Sequence, residues 1–393
     1  MNPRSRRICI VTGSRAEYGR LRRLVALLND DDRTEVRLVV TGSHLAPEFG
    51  LTVREIEDEM VRIDERVEIV LDSNSGLGMA KSLGLATMGL AEAFERQQPE
   101  IVLVFGDRYE MLGAASAALA LRLPIAHIAG GQLTEGAMDD AIRHAITKLS
   151  HLHFASIESD RRRILQLGEA PERVFTVGST GVDAIVHQQR LSRREVEERL
   201  GITLGERNLL VTFHPETLSP LPPERQIQEL LTALARLDDD IKLIFTMANV
   251  DAGGRALNAA VAAFVGSRPG KTAFVASLGQ EAYLSALALV QGVVGNSSSG
   301  IIEAPSFGIG TVNIGDRQKG RLRAASIVDC PLEAAAIGTA IDHLLSPVFR
   351  ASLKGLRNPF GDGNSSERIR DVLATYPLDG LIQKSFNEFF LPA

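Results

Sequence analysis

The sequence is poor in cysteine and has no excess of positive charge, and both features narrow the class of protein. Only two cysteines, Cys9 and Cys330, occur in the 393 residues, and both lie in apolar segments. Because two such residues provide neither a disulfide framework nor metal-site spacing, we expect buried thiols in a reducing compartment. The formal net charge of -6 at pH 7 argues against a nucleic acid or a membrane surface as the partner.

Long apolar runs are also missing. The N-terminal segment MNPRSRRICIVTG resembles a signal peptide in charge, but its apolar run is shorter than the roughly 7–15 residues that a signal core needs. No stretch approaches the roughly 18 apolar residues of a membrane span. We therefore expect a cytoplasmic protein that has no membrane partner.

Two common nucleotide-binding motifs are absent as well. No loop has the GK[ST] ending of a Walker motif, and no strand is followed by GxGxxG with a downstream acidic residue. These absences disfavour nicotinamide and flavin chemistry, so we expect no redox cofactor, and no residues with metal-ligand spacing stand out.

What the chain does contain is a repeated alternation of short β-branched runs and helical patterns. Continuous apolar strands separated by helices are typical of parallel sheets buried on both faces. The runs form two sets, RICIVTG, VRLVVTG, VEIVLD, IVLVFGD, IAHIAGG, LHFASI and RVFTVGS, then LLVTFHP, KLIFTMAN, TAFVAS, GVVGNSSS and TVNIG. The sequence thus predicts an α/β protein of two doubly wound, Rossmann-like domains that face each other across a cleft.

The boundaries of these domains follow from composition. The charged helical stretch RLSRREVEERLGI lies between the two sets of strands. We predict an N-terminal domain at 1–183, a C-terminal domain at 184–364, and a C-terminal helix and tail at 365–393. The helix should run from about Ser365 to Tyr376, and the N-terminal domain is one candidate for the surface on which it packs.

Ligands of such sheets bind beyond the carboxyl ends of the strands, where this chain has charged residues. Arg15 follows the first strand at a helix start, which suits a phosphate. An equal alternative is that Ser14 caps the helix while Arg15 and Glu17 are merely solvated. Asp107 and Arg108 follow IVLVF, as an open polar site or as a helix cap with a surface partner. After IAHI, carboxylates crowd together as in acid–base catalysis, and one or two of them are helix caps: Glu135, Asp139 and Asp140, beside Arg143 and His144.

The second half contains a candidate anion site. GVVGNSSSGIIEAPSFG is predicted as a strand, a Gly/Ser loop and a helix beginning near Gly300, which together offer backbone amides and hydroxyls to a phosphate. A serine-capped helix without a ligand is the alternative. NIGDRQKGR supplies enough positive charge for a diphosphate, and Glu303 suits two ribose hydroxyls. His214 and Asn249 stand at two further strand ends.

Six motifs in collinear order resemble the hydrolysing UDP-N-acetylglucosamine 2-epimerases of bacterial sialic-acid synthesis. They are GSRAEYG, GDRYEM, TEGAMDDAIRHAITKLSHLHF, FHPETLS, GNSSSGIIE and NIGDRQKGR. Relatives that act on nucleotide-linked diacetylbacillosamine in legionaminic-acid synthesis look much the same. The resemblance spans Ile8 to about Arg323 and is weak after Pro347.

The resemblance implies the glycosyltransferase-B fold, no redox cofactor or essential catalytic metal, and a homodimer or homotetramer. It also implies a mechanism in which a base removes the C2 proton while UDP leaves C1, giving a 2-acetamidoglucal. Water then adds to the bound glycal and yields N-acetylmannosamine and free UDP. This chemistry needs a base at C2 and an acid or cation at the diphosphate.

The resemblance also assigns roles by position. The diphosphate would be held by Arg15, His214, Ser297, Ser298 and Arg317. Glu303 would bind the ribose, Asn249 and the Leu278 backbone would lie near the nucleoside, and Gly19 could contribute only its backbone. Asp107, Arg108 and Asp139 match catalytic or sugar-contacting positions.

One position departs from the family pattern. Some relatives, the animal enzymes among them, have a glutamate where this chain has Ala129, within HIAGGQ, and that glutamate is a catalytic candidate. The following loop is one residue longer than in those relatives, and it contains Glu135. We therefore hypothesise that Glu135 or Asp139 performs part of the proton transfer.

The same sequence features are compatible with other functions. A glycosyltransferase of the same fold would need an acceptor, and a non-hydrolysing epimerase would keep UDP on the sugar. A sensory protein that closes on a sugar nucleotide would leave the clustered carboxylates without a role. The sequence does not choose between UDP and GDP or between the two sugars.

Overall fold

The chain forms two α/β units. The computed structural model describes residues 5–71, 73, 75–134, 137–187, 189–216, 219–248, 254–276 and 278–388. The first unit comprises Met1–Gln132, Asp139–Val186 and Phe360–Ala393, and the second comprises Leu133–Met138 and His187–Pro359. The C-terminal segment therefore belongs to the first unit, and a short segment after the fifth strand belongs to the second.

The strands are short and mostly buried. In chain order they are β1 (Arg6–Thr12), β2 (Thr34–Thr41), β3 (Glu65–Val67), β4 (Ile101–Phe105), β5 (Ile125–Ile128), β6 (Leu152–Ala155), β7 (Val174–Thr176), β8 (Arg207–Thr212), β9 (Ile241–Thr246), β10 (Thr272–Val275), β11 (Gly292–Gly295), β12 (Gly310–Ile314) and β13 (Ile327–Cys330).

Helices separate most of these strands. They are α1 (Arg15–Asn29), α2 (Val53–Asp58), α3 (Gly76–Gln97), α4 (Tyr109–Ala120), α5 (Asp139–Leu149), α6 (Glu158–Gln166), α7 (Thr180–His187), α8 (Arg193–Leu200), α9 (Pro223–Leu234), α10 (Gly254–Gly266), α11 (Gly279–Leu287), α12 (Ser298–Ile302), α13 (Ala334–Leu345), α14 (Pro347–Ser352) and α15 (Ser365–Thr375).

The first unit contains a seven-stranded parallel sheet in the order β3-β2-β1-β4-β5-β6-β7. Its central strand β1 is apolar on both faces: Ile8 and Ile10 belong to one buried cluster, Cys9 and Val11 to another. Because successive strand side chains point to opposite faces, a continuous apolar run requires cover on both sides. Helices α1 and α15 pack together, as do α3 and α4, and they supply buried residues to the two clusters.

The second unit repeats this arrangement with a six-stranded parallel sheet in the order β10-β9-β8-β11-β12-β13. In register, Gly292 of β11 pairs with Leu209 of β8 on one side and with Gly310 of β12 on the other. One core contains β8 residues together with the apolar faces of α9, α10 and α13. The predicted α/β class with two doubly wound units is confirmed.

Two predicted details of the strands were wrong. The VEIVLD segment was predicted as a strand, but β3 covers only Glu65–Val67. Ile69 is nevertheless 2% exposed, so the apolar run reflects burial without strand pairing. The edge strand β13 was not predicted, because its residues are only partly buried and Asp329 interrupts the apolar pattern.

The cysteines also differ from each other. Cys9 is buried in β1, whereas Cys330 is only half-buried at the end of β13, which corrects the expectation of two buried thiols. Separately, none of the helices in the described part of the chain is long and apolar enough to cross a membrane.

Candidate active site

Each sheet has one point at which the strand order reverses direction. In the first unit this point lies between β1 and β4, and in the second between β8 and β11. The connections from such neighbouring strands leave on opposite faces of the sheet, which opens a crevice at their carboxyl ends. The residues singled out from sequence after β1, β4, β8 and β11 therefore lie at the two switch points.

At the end of β1, Arg15 is the first residue of α1, and Gly19 follows one turn later on the same face. Ser14 occupies the N-cap position with extended backbone but makes no side-chain capping bond. The carboxylate of Glu17 instead accepts a hydrogen bond from the Gly13 amide at 2.7 Å. Glu17 thus fixes the turn that presents Arg15.

At the end of β4, Asp107 forms an ion pair with Arg143 of α5. The Arg143 side chain is 1% exposed, and its Nη1 donates to the Gln132 carbonyl oxygen at 2.8 Å. Since Asp107 accepts from a buried guanidinium, it is neither a helix cap nor part of a simple surface pair. Arg143 was noted in the sequence only as a neighbour of the carboxylates, and no local pattern pairs it with a residue 36 positions earlier.

Arg108, the next residue, is at the N-cap position of α4 and donates to Glu110. Burial, together with the nearby charge of Glu110, raises the pKa of Glu17 to about 7, although Arg108 acts in the opposite direction. The switch point of the first unit therefore brings together two buried carboxyl groups and an arginine. The alternative with a solvated Glu17 was therefore wrong, since Glu17 is 5% exposed, and Glu110 was not singled out from the sequence.

A buried histidine holds the turn that precedes Asp107. His127 of β5 is fully buried, and its Nε2 lies 2.7 Å from the Gly106 carbonyl oxygen. Burial lowers the pKa of His127 to about 3, so the ring is neutral at physiological pH. Its Nδ1 lies 3.2 Å from the Thr147 hydroxyl, and the two contacts fix the ring between β4 and α5.

The segment after β5 begins with an unusual backbone conformation. Ala129 has a φ of +64°, a left-handed value that is uncommon outside glycine, and its amide donates to the Phe154 carbonyl at 3.0 Å. The Gln132 side chain donates to Ser156 at 2.9 Å. Asp139 starts α5, whereas Glu135 lies outside the described residues.

In the second unit, Asn296 connects the elements of the predicted anion site. Its side chain is fully buried and makes two bonds to His214, accepting from the amide at 2.7 Å and donating to the carbonyl at 2.8 Å. Its own carbonyl accepts from Arg317 Nη1 at 3.3 Å and from Gln318 Nε2 at 2.8 Å. Asn296 thus brings together His214, Arg317 and the serine-rich turn, a role that was not predicted.

The serine-rich turn itself differs from the prediction in one respect. Helix α12 begins at Ser298, two residues before the predicted start, and spans only Ser298–Ile302. Ser297 caps it through a bond from the Ser299 amide at 3.4 Å. Because the helix is so short, any anion at this turn depends on hydroxyls, amides and the neighbouring arginine more than on a helix dipole.

Two of the remaining predicted positions lie in the described part of the second unit. Glu303 follows α12 and is 7% exposed, and Leu278 is the N-cap residue of α11. Asn249 lies outside the described residues. The loop with Arg317 is held by Glu216, which accepts from the amides of Asp316 at 2.8 Å and Arg317 at 3.1 Å.

Arg321, which was predicted to add positive charge for a diphosphate, makes contacts elsewhere in the second unit. It donates to the Leu133 carbonyl at 3.0 Å and to the Thr134 hydroxyl at 3.1 Å. Its guanidinium therefore holds the segment that precedes α5. Across the described residues, no three His, Cys, Asp or Glu side chains are grouped as metal ligands would be.

Two doubly wound parallel units make up the glycosyltransferase-B fold. A solved structure of the Neisseria meningitidis UDP-N-acetylglucosamine 2-epimerase, bound to UDP-N-acetylglucosamine, matches 93% of this chain and 99% of its own, with a TM-score of 0.79. The two sequences are 17% identical. This likeness defines the fold class.

Residues 26–374 match the family model described as UDP-N-acetylglucosamine 2-epimerase. A Campylobacter jejuni GDP/UDP-N,N'-diacetylbacillosamine 2-epimerase (hydrolyzing) is 40% identical, with 97% of this chain and 98% of the relative covered. The Escherichia coli polysialic acid biosynthesis protein P7 is 37% identical, with 92% of this chain and 91% of the relative covered. A Legionella pneumophila UDP-N,N'-diacetylbacillosamine 2-epimerase (hydrolyzing) is 34% identical, with 98% of this chain and 100% of the relative covered. The chain therefore belongs to the UDP-N-acetylglucosamine 2-epimerase family.

Proposed function

We propose that the protein is a hydrolysing 2-epimerase that converts a nucleoside diphosphate 2-acetamido sugar into the free 2-epimeric sugar and the nucleoside diphosphate. The observation that carries the proposal is the 40% identity, over nearly the whole of both chains, to a relative named as a hydrolysing 2-epimerase. The collinear motifs that place charged residues at both switch points support the same activity.

The second unit would bind the nucleotide. His214, Ser297, Ser298 and Arg317 would hold the diphosphate together with Arg15, while Glu303 would bind the ribose. Asn249 and the Leu278 backbone would lie near the nucleoside, and Gly19 would offer only backbone. The bonds of Asn296 to both His214 and the Arg317 loop support a shared role for these two side chains.

The first unit would perform the chemistry. A carboxylate takes the C2 proton, the electrons of that C–H bond form the C1=C2 double bond, and the C1–O bond breaks with its electron pair leaving on the diphosphate. Water then adds across the double bond, its hydroxyl to C1 and a proton to C2 from the opposite face. Asp107, Glu135 and Asp139 are the candidates for base and acid, with Arg108 as the cation that stabilises developing negative charge.

The reaction can be tested without any acceptor. The protein is incubated with the sugar nucleotide in deuterated water, and the products are followed by proton NMR. We expect free sugar of inverted C2 configuration, with deuterium at C2, and an equal amount of nucleoside diphosphate. Sugar that stays attached to UDP would replace the proposal by a non-hydrolysing epimerase, and a requirement for an acceptor would replace it by a glycosyltransferase.

Two sugars are candidates, and each has its own support. The name of the family model and the sequence motifs favour UDP-N-acetylglucosamine, which gives N-acetylmannosamine for sialic-acid synthesis. The relatives at 40% and 34% identity are named for N,N'-diacetylbacillosamine, linked to GDP or UDP. Comparing kcat/KM for UDP-N-acetylglucosamine and for UDP- and GDP-linked diacetylbacillosamine decides between them, since a difference above about tenfold identifies the substrate.

The base can be identified by matched substitutions. Asp107→Asn, Glu135→Gln and Asp139→Asn each remove one charge with little change in shape. The base variant should lose deuterium exchange at C2 as well as product, and turnover at the wild-type rate in Glu135→Gln would exclude Glu135.

We further propose a cytoplasmic homodimer or homotetramer. The family resemblance supports the assembly, and the cytoplasmic location follows from the substrate class. Light scattering of the purified protein should give a mass of two or four chains, and a monomeric mass would refute the assembly. Cell fractionation should recover the activity in the cytosolic fraction.

A further inference from the structure

Glu110 is a fully buried carboxylate that the proposed function does not use. It lies in the first turn of α4, and none of its side-chain surface is exposed. Removing a carboxylate from water is strongly unfavourable unless a partner and hydrogen bonds compensate. The interactions of Glu110 should therefore explain why a charged residue occupies this position.

Arg108 supplies the compensating charge. Its Nε and Nη2 donate to the same carboxylate oxygen of Glu110, at 3.3 Å and 3.1 Å. The Arg108 side chain is 14% exposed, compared with 0% for Glu110. The pair therefore joins a buried carboxylate to a guanidinium that solvent can reach.

Backbone from two strand ends fixes Glu110. A Cβ added to Gly13, after β1, would lie 3.3 Å from the Glu110 Cβ and Cγ. A Cβ added to Gly42, after β2, would lie 2.8 Å from the Glu110 Oε1, and Gly42 has a φ of +61°. Two glycines thus make room for this carboxylate, which has little space to move.

A second buried carboxyl group also lies at Gly13. Glu17 accepts from the Gly13 amide at 2.7 Å and is 5% exposed, while the Glu110 side chain occupies the space next to Gly13 that an added Cβ would approach. Oε1 of Glu17 and Oε2 of Glu110 have no hydrogen-bond partner among the described residues. The turn that leads to Arg15 and the turn with Arg108 are therefore both held by a pair of buried carboxyl groups, those of Glu17 and Glu110.

We propose that Glu110 is a positioning residue that holds the Arg108 guanidinium in place for the elimination step. The inference rests on the proposed function, because it assigns Arg108 to the reacting sugar diphosphate. Because its side chain is fully buried, Glu110 would act through Arg108 and not by touching the substrate. A purely structural salt bridge is the alternative, and it would stabilise α4 without any coupling to turnover.

A double-mutant cycle separates the two roles. We compare Glu110→Gln, Arg108→Lys and the double variant in acceptor-free turnover. Because misplacing one group at a reacting centre costs on the order of 100-fold, Glu110→Gln should lower kcat about 10- to 100-fold with little change in KM. If Glu110 acts through Arg108, adding Glu110→Gln to Arg108→Lys should cost less than about threefold more.

Glu65→Gln is the matched control. Glu65 accepts from Arg96 Nε at 2.9 Å in the same unit, so the substitution weakens another glutamate–arginine pair at a distance in sequence from both switch-point turns. It should leave kcat and KM unchanged. Losses that multiply in the double variant, or an unchanged kcat in Glu110→Gln, would overturn the inference.

Crystal structures provide a readout that does not depend on activity. In Glu110→Gln, the Arg108 guanidinium should leave its wild-type position, whereas an unmoved guanidinium refutes the positioning role. If the glutamine variant fails to fold, Glu110→Asp, which withdraws the carboxylate by one methylene, is read in the same way. An inactive wild type would refute the proposed function, and the position of Arg108 would still decide the inference about Glu110.

Discussion

At the residue scale, the turn after β11 depends on the absence of a side chain at Gly295. Its φ is +138°, and an added Cβ would lie 1.9 Å from the Thr212 carbonyl oxygen. The glycine lets the backbone of β8 and β11 close together directly before Asn296. Both the strained conformation and the contact exclude any other residue.

We predict that Gly295→Ala destabilises the protein by at least about 3 kcal/mol, because strain and a backbone clash add together. Urea denaturation measures the loss. Gly270→Ala is the matched control, since Gly270 has a φ of +73° and nothing within 4 Å of an added Cβ. It should cost only about 1–2 kcal/mol, and equal losses at the two positions would contradict the argument.

Glu17 gives a prediction about pH. Burial and the charge of Glu110 raise the pKa of Glu17 to about 7, from 4.5. The folded state then keeps a proton that the unfolded state has already released, so this group's contribution to stability falls as pH rises through that range. Glu17→Gln cannot lose a proton.

The free energy of unfolding of Glu17→Gln, relative to wild type, should therefore rise between pH 4.5 and 7. The upper limit is about 3.5 kcal/mol, because a tenfold difference in proton affinity between the folded and unfolded states corresponds to roughly 1.4 kcal/mol. Chemical denaturation at several pH values tests this, and a pH-independent difference between the two proteins would show that Glu17 titrates normally.

At the element scale, helix α15 is capped by a residue far away in sequence. Both oxygens of the fully buried Asp183 accept backbone amides of the first turn, from Ser365 at 2.9 Å and Ser366 at 2.5 Å. The preceding residue, Asn364, makes no side-chain capping bond. The start of this helix is thus fixed by tertiary contact with α7.

We predict that Asp183→Ala lowers stability by about 1–3 kcal/mol, the usual cost of a lost cap and of amides left without a partner. Hydrogen exchange should speed up first for the amides of 365–375. The exposed Asp342→Ala in α13 serves as the control and should leave that exchange unchanged. If the α15 amides of Asp183→Ala stay as protected from hydrogen exchange as in the wild type, Asp183 does not cap the helix.

At the scale of the whole molecule, the chain passes between the two units more than once. The segment Phe360–Ala393 belongs with the first unit although it follows the second in sequence. Lys384 in this segment donates to Glu169 at 2.8 Å and to the Ser150 carbonyl at 2.6 Å. Lys148 and His153 also bind Glu169, so a buried cluster holds the C-terminal segment.

This cluster predicts acid sensitivity. Burial by itself would raise the pKa of Glu169, but the hydrogen bonds from His153 and the two lysines lower it to about 2. Because the folded-state pKa is depressed, the contribution is present above about pH 4.5 and is lost as pH falls towards 2. The stability difference between wild type and Glu169→Gln should shrink by up to about 3.5 kcal/mol over that range.

Thermal denaturation between pH 2 and 6 provides the measurement. Lys384→Met, which keeps Glu169 paired with Lys148 and His153, should reproduce only part of the effect. A difference between wild type and Glu169→Gln that stays constant with pH would mean that the cluster does not hold an ionised carboxylate.

Much of the architecture could be predicted because its signals are local. A strand such as IVLVF is apolar at every position only if both faces are covered, and this requirement already implies a parallel sheet between helix layers. Two of the four edge strands were not predicted correctly. β3 was misplaced, and β13, with its partly exposed IVDC sequence, was missed.

The candidate site divides in the same way. Residues directly after strands, such as Arg15, Asp107 and His214, were identified because the topology of a doubly wound sheet predicts where its ligands bind. Their supporting partners were not identified. Arg143 lies 36 residues from Asp107, and Asn296 lies 82 residues from His214.

The sequence alone therefore determined the fold class, the family and the strand ends that carry the candidate residues, since periodicity and motifs are properties of neighbouring residues. Only the tertiary structure decided which charges balance each other. Three examples are the contact of Glu110 with Gly13 and Gly42, the ion pair of Arg143 with Asp107, and the capping of α15 by Asp183. Each depends on the distance between segments that are far apart in the chain. Backbone folding sets those distances, and no local pattern records them.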